Sequence, residues 1–148
     1  MTRIVHPVAG ALAMLTIAAF WLSTALSELF GTADTVVAVK TAIPWGFLLL
    51  IPAMAATGGS GLSLARGRRA GLLGVKLRRM RIIAANGVLI LVPAALFLAA
   101  KAADGAFDTA FYAVQAIELL AGALNLTLFA LNMRDGLRMS GRLRRARG

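Results

Sequence analysis

"KLRRMRIIAANGVLILVPAALFLAAK", residues 76–101, sets nineteen uncharged residues (82–100) between a dense basic cluster and a single lysine. At 1.5 Å per residue a helix of that length spans ~28 Å, close to the thickness of a bilayer's hydrocarbon core. Three more stretches read the same way: 7–30, 36–57 and 110–133. The first has "ALS" ahead of Glu28, small residues at the spacing of a signal-peptide cleavage site, but its apolar run is too long for one. The expectation is an all-α integral membrane protein: one transmembrane domain over 1–148, built as an up-down four-helix bundle with short turns after the first and third helices.

Composition supports this. The chain of 148 residues is 59% hydrophobic and 15% charged, with a mean hydropathy of +0.81. Before Arg66 its only charged side chains are Arg3, Glu28, Asp34 and Lys40. A soluble domain could not cover its surface from that stock. No cysteine is present, which excludes disulfides, thiolate metal sites and thiol nucleophiles, and with one histidine, His6, a soluble-style metal cluster or a Ser-His-Asp triad has almost no raw material. No nucleophile–base pair is apparent, so soluble-enzyme chemistry is not expected.

A net charge of +10 is compatible with nucleic acid binding, but the basic residues occupy 65–81 and 133–148, next to apolar runs and without an aromatic residue to stack on bases. No nucleic acid partner is expected. Juxtamembrane basic clusters instead fix orientation and contact anionic lipids. Arg3, seven residues in the middle link 58–81 and six in the tail 134–148 make fourteen Lys and Arg on one side. Lys40 and Lys101 are the two on the other. This asymmetry places both termini and the middle link in the cytoplasm of a bacterial inner membrane. The middle link opens on "TGGSG" (57–61), a flexible break, and "AGLLGVKLRRM" (70–80) is suited to lie along the membrane surface.

The fourth helix carries the most polar groups. Gln115, Glu118, Gly122, Asn125, Phe129 and Asn132 recur at spacings of three and four, so they share one face. Leu120, Leu124 and Leu131 fall opposite, toward lipid. Amides on such a face can bond neighbouring helices, or they can line a site for a polar ligand, a quinone or a proton. A carboxylate as deep as Glu118 needs a partner or a proton. Lys40, on the second helix, is the candidate partner, and its long stem can close the gap in depth. The alternatives for Glu118 are a structural pair with Lys40 or a functional proton or ligand site.

Pro44 and Pro52 in the second helix and Pro93 in the third each free the carbonyl four residues earlier. His6 stands just before Pro7 at the start of the first helix. It is either an interfacial residue or an axial ligand of a haem b, as a His/Met haem near the level of Met54, Met80, Asn86, Asn132 and Met133 or as a haem shared between the two His6 residues of a dimer.

"HPVAG" (6–10), "LSELFG" (26–31), "KTAIPWG" (40–46) and "ALNMRDGLR" (130–138) resemble stretches of small four-helix inner-membrane proteins of proteobacteria. That resemblance spans most of the chain and implies the bundle but no activity. In size the chain is similar to small multidrug transporters, whose membrane-embedded glutamate is on the first helix rather than the fourth. It also resembles membrane b-type cytochromes, which carry paired histidines where this chain has His6 alone.

Three functions follow as expectations. The first is a non-catalytic subunit or accessory protein that binds a partner or small ligand in the bilayer, as a homo-oligomer or within a larger complex. The second is a haem b or quinone electron-transfer protein. The third is a proton-coupled carrier of a small solute that uses Glu118. The orientation is directly testable. Reporter fusions after Ala33 and Gly105 should read outside and one after Gly148 inside; an outward signal from Gly148 contradicts four crossings.

Overall fold

The computed structural model describes residues 2–65 and 71–139. Arg66, Arg68 and Arg69 of the middle link and Arg142, Arg144, Arg145 and Arg147 of the tail lie outside the described residues. Helix α1 spans Thr2–Phe30 and α2 spans Ala33–Ala65. The third crossing is α3 (Gly71–Asn86), a π-helical turn (Gly87–Leu91) and α4 (Val92–Ala103) in series, and α5 spans Thr109–Met139. No strand occurs among the described residues. All four crossings are long and apolar enough to span a membrane. In the most apolar window of each, only 22–28% of residues are buried within the chain. Most of the apolar surface therefore faces outward, where only lipid or partner helices can cover it. Trp45, Leu48, Leu89 and Leu120 are among the exposed side chains.

The α1–α2 and α4–α5 connections lie at one end, the turn end; the chain passes from α2 to α3 at the other, the basic end. The α4–α5 turn is closed by backbone chemistry. Ala106 N–H donates to the Lys101 carbonyl and Gly105 N–H to the Ala102 carbonyl, the paired bonds of a Schellman cap. This cap requires the left-handed φ of +66° found at Gly105, which glycine adopts without strain. Asp108 then caps α5 by accepting from Phe111 N–H at 3.0 Å. The Lys101 ammonium, hydrogen-bonded to Asp108 at 2.5 Å, and that backbone N–H hold the Asp108 carboxyl below the usual carboxylate range. This contribution is complete above about pH 4 and is lost as the pH falls through the lowered value.

The helices run farther than the apolar stretches. The expected link 58–81 is helical from 58 to 65 and from 71 to 81, and "TGGSG" is not a break. Glycines in a helix cost about 1 kcal/mol each relative to alanine, so something must hold this segment. His6 does. Its Nδ1 lies 3.1 Å from the Thr57 carbonyl and 3.2 Å from Ser60 Oγ, and its ring rests against Gly61, where a Cβ would stand 3.1 Å from Cε1. The segment from 71 does not lie along the surface either. It packs on α5 through Arg79–Asp135 and through Asn132 Nδ2 donating to the Lys76 carbonyl.

Pro93 cannot donate to the Leu89 carbonyl and its ring crowds that oxygen. The helix widens just before it into the π-turn, where Val92 N–H bonds the Gly87 carbonyl. Two small apolar cores bracket the middle of the bundle. Val36, Leu98, Ala102 and Phe111 pack at the turn end. Ala13, Ile17, Ala53, Ile83 and Phe129 pack toward the basic end, with Met54 and Met80 filling gaps around them. Between α1 and α5, Trp21 Nε1 donates to the Leu119 carbonyl at 2.8 Å, and Gly122 makes room for the indole. A Cβ on Gly122 would stand 2.8 Å from Trp21 Cδ1, so Gly122→Val should lower stability by about 1–3 kcal/mol in detergent unfolding. An unchanged melting curve would show that α1 and α5 do not pack in this way.

Candidate functional site

The polar face of α5 points into the bundle. Gln115, Asn125, Asn132 and Asp135 are buried, and Glu118 is nearly so. Leu120 and Leu124 are exposed opposite them, while Leu131 is half-buried instead of facing outward. These residues divide into three groups along the helix.

The turn-end group joins three helices. Lys40 of α2, with 1% of its side chain exposed, places Nζ 2.6 Å from Glu118 Oε2. The same ammonium lies 3.4 Å from Thr24 Oγ1 of α1, and Gln115 Nε2 donates to Glu118 Oε2 at 3.4 Å. The pairing of Glu118 with Lys40 is therefore a direct contact. Pro44 leaves the Lys40 carbonyl without its helical donor, so α2 presents two polar groups of one residue in this half of the bundle. Glu28 of α1 joins the group as a second carboxylate, within electrostatic reach of Lys40 and Glu118.

The middle group is a mutual amide bond. Asn86 Nδ2 donates to Asn125 Oδ1 at 2.8 Å and to the Ala121 carbonyl at 2.9 Å. Asn125 Nδ2 returns a bond to the Ile83 carbonyl at 3.3 Å. This pair locks α3 to α5 immediately before the π-turn. The basic-end group centres on Asp135. Arg79 Nη1 lies 2.7 Å from its Oδ2 and Arg134 Nε 3.4 Å from its Oδ1. Lys76 adds positive charge nearby, and its Nζ would meet a Cβ on Gly136 at 3.1 Å.

Between the turn-end group and the amide pair lies a cavity of about 200 Å³. Phe20, Phe47, Leu50 and Val88 are among its apolar walls, and Thr24, Glu118, Asn125 and Trp21 also line it. A site of this volume takes a small apolar body; a dry cavity of ~150 Å³ is enough for benzene. Glu118 both ends the ion pair and lines this space.

The structure thus brings Glu118, Lys40 and Gln115 together, sets Asn125 on the far wall of the cavity, and leaves Asn132 and His6 at the basic end. A haem b ligand needs an imidazole facing a roomy apolar slot. The His6 ring instead packs on α2, and His6 is not on the cavity wall. The cavity described above therefore does not serve a haem held by His6. Glu28, Thr24, Asn86, Arg79 and Asp135 were not among the sequence-derived site residues. Asp135 carried a signal: it follows Asn132 by three, continues the polar face, and is the one acid in the basic tail.

No protein-family model, curated protein or solved structure matches this chain.

Asp135 separates Arg79 and Lys76, which would otherwise oppose each other without an anion. Asp135→Asn should lower the melting temperature in detergent by several degrees, and adding Lys76→Met should restore part of the loss. Equal melting of Asp135→Asn and wild type would show that the basic-end ion pair contributes nothing to holding α3 on α5.

Proposed function

We propose that this chain is a non-catalytic membrane protein that holds a small, mainly apolar ligand with one polar head group inside the bilayer. The observation that carries this reading is the mid-bundle cavity, apolar on most of its wall and lined also by Glu118, Thr24 and Asn125. Ligand sites of this kind pair an apolar enclosure with a few placed polar groups that fix orientation. A quinone ring is the ligand class whose size and polarity suit this space best. The exposed apolar faces of all four crossings support membership in a homo-oligomer or a larger membrane complex, in which the chain acts as an accessory subunit. The distribution of Lys and Arg supports a bacterial inner membrane with both termini cytoplasmic and with anionic lipids at the basic end.

A second reading, a proton-coupled carrier of a small solute, draws on one observation: the Glu118 carboxyl sits at once in an ion pair and on the cavity wall. Carriage then requires that solute entry disturb the pair.

The chain has two tryptophans: Trp21 on the cavity wall and Trp45, which is exposed. In a Trp45→Phe background, titration of a short-chain quinone into protein-containing nanodiscs should quench Trp21 saturably. Gly87→Leu should weaken that binding at least ~10-fold, equivalent to ~1.4 kcal/mol, because a side chain there enters the cavity: its Cβ would approach only Asn125 Nδ2, at 4.0 Å. Linear quenching, identical in both proteins, would show partition into lipid and overturn the ligand site.

A further inference from the structure

The helices pack as a ring in the order α1, α2, third crossing, α5. Most seams of this ring carry polar ties. His6 and Lys40 tie α1 to α2, Trp21 ties α1 to α5, and Asn86 and Arg79 tie the third crossing to α5. The seam between α2 and the third crossing differs. The buried polar side chains of α2 are engaged elsewhere: Lys40 by Thr24 and Glu118, Thr57 by its own helix, and Ser60 by His6 and its own helix. Along this seam α2 packs on α4 and on α3, but not on the π-turn between them.

The cavity wall is interrupted at the same place. Ile51 of α2, Ala84 of α3 and Val88 of the π-turn line the cavity and are also exposed, whereas the lining residues from α1 and α5 are buried or half-buried. Ile51 is 56% exposed and Val88 67%. A side chain that both lines a cavity and faces outward stands at its edge. Ile51 and Val88 lie fourteen or more residues from the ends of their crossings, Ala33–Ala65 and Gly71–Ala103, which is ~20 Å along a helix. With a hydrocarbon core ~30 Å thick, the gap faces acyl chains rather than water.

We propose that the cavity opens sideways into the hydrocarbon core between Ile51 and Val88, and that its ligand is a lipid-dissolved amphipath whose head lies in the cavity while its apolar chain runs out through the gap. Size supports the chain. The cavity of about 200 Å³ holds a ring, for which ~150 Å³ suffices in the case of benzene, so a longer chain has to leave it. Polarity supports the route, because an ion or polar solute would have to shed its water before reaching such an entrance. The inference rests on the cavity site proposed above and adds the ligand's chain and its path.

The full chain in vesicles tests it, with a phosphatidylcholine that carries a diazirine at the end of one acyl chain. On illumination the chain end should label Ile43 and Ala95, which are buried on the cavity wall. The paired substitution Ile51→Phe and Val88→Phe should cut that labelling several-fold relative to the exposed Leu48, and Leu120→Phe on another face should leave it unchanged. In the Trp45→Phe background, a quinone with a long prenyl tail should quench Trp21 saturably; the Phe pair should lose this binding and keep that of the short-chain quinone. Circular dichroism checks each fold, and where the Phe pair does not fold, Ile51→Ala with Val88→Ala should raise the labelling instead. Ile43 and Ala95 unlabelled in the wild type, labelling indifferent to both pairs, or a tailed quinone that fails to bind where the short-chain one binds overturns the proposal. Saturable short-chain binding without wall labelling keeps the cavity site and removes the opening. Linear quenching with labelling that the Phe pair suppresses supports the opening and removes the quinone.

Discussion

An ammonium with 1% of its side chain exposed, 2.6 Å from a carboxylate in the apolar part of a membrane-length bundle, constrains everything around it. Neither charge is tolerable there alone, since breaking a buried pair leaves an ion without water or partner. The pair thereby ties α2 to α5, two helices that no short turn joins. Thr24 and Trp21 bring α1 to the same place, one by accepting from Lys40 and the other by donating to the Leu119 carbonyl. An apolar core of Val36, Leu98, Ala102 and Phe111 packs on the turn-end side. The cavity opens on the other, which is why Glu118 alone of the pair reaches it.

Bundles in lipid lack a strong hydrophobic drive between helices, so polar bonds and close contact choose the register. The seam of α5 shows how this is divided. Glu118 takes α2, Asn125 takes α3 at the edge of the π-turn, and Asn132 and Asp135 take the basic end of α3. Each amide bond is worth only ~0.6–2 kcal/mol, but together they leave one way to align the helices. The widened turn ahead of Pro93 sits on the cavity wall, so the same distortion that accommodates the proline helps make the space.

The crossings, the inward face of α5 and the Lys40–Glu118 contact were legible because each rests on local physics: length of apolar run, helical spacing, and the intolerance of a membrane for lone charge. The helix ends were not. His6 stabilises "TGGSG" from another helix, and no window of local propensity contains that contact. Several site residues were legible in principle from hairpin register. Thr24 and Lys40 each lie eight residues from Thr32, at the α1–α2 break, and Lys76 and Asn132 each lie twenty-eight from Asp104, at the α4–α5 turn. Residues equidistant from a tight turn face each other in antiparallel helices, which points to Thr24 and to the basic-end contacts. Contacts such as Trp21 with α5 follow no such symmetry, because they depend on how the two hairpins dock.

The most direct measurement is a double-mutant cycle on the pair, using Lys40→Met, Glu118→Gln and their combination, with reversible unfolding followed in detergent. A direct ion pair predicts that the double mutant is more stable than the two single losses imply, with a coupling of about 1–3 kcal/mol. Losses that add to within ~0.3–0.5 kcal/mol would contradict it, and would mean that Lys40 and Glu118 are each held by other groups.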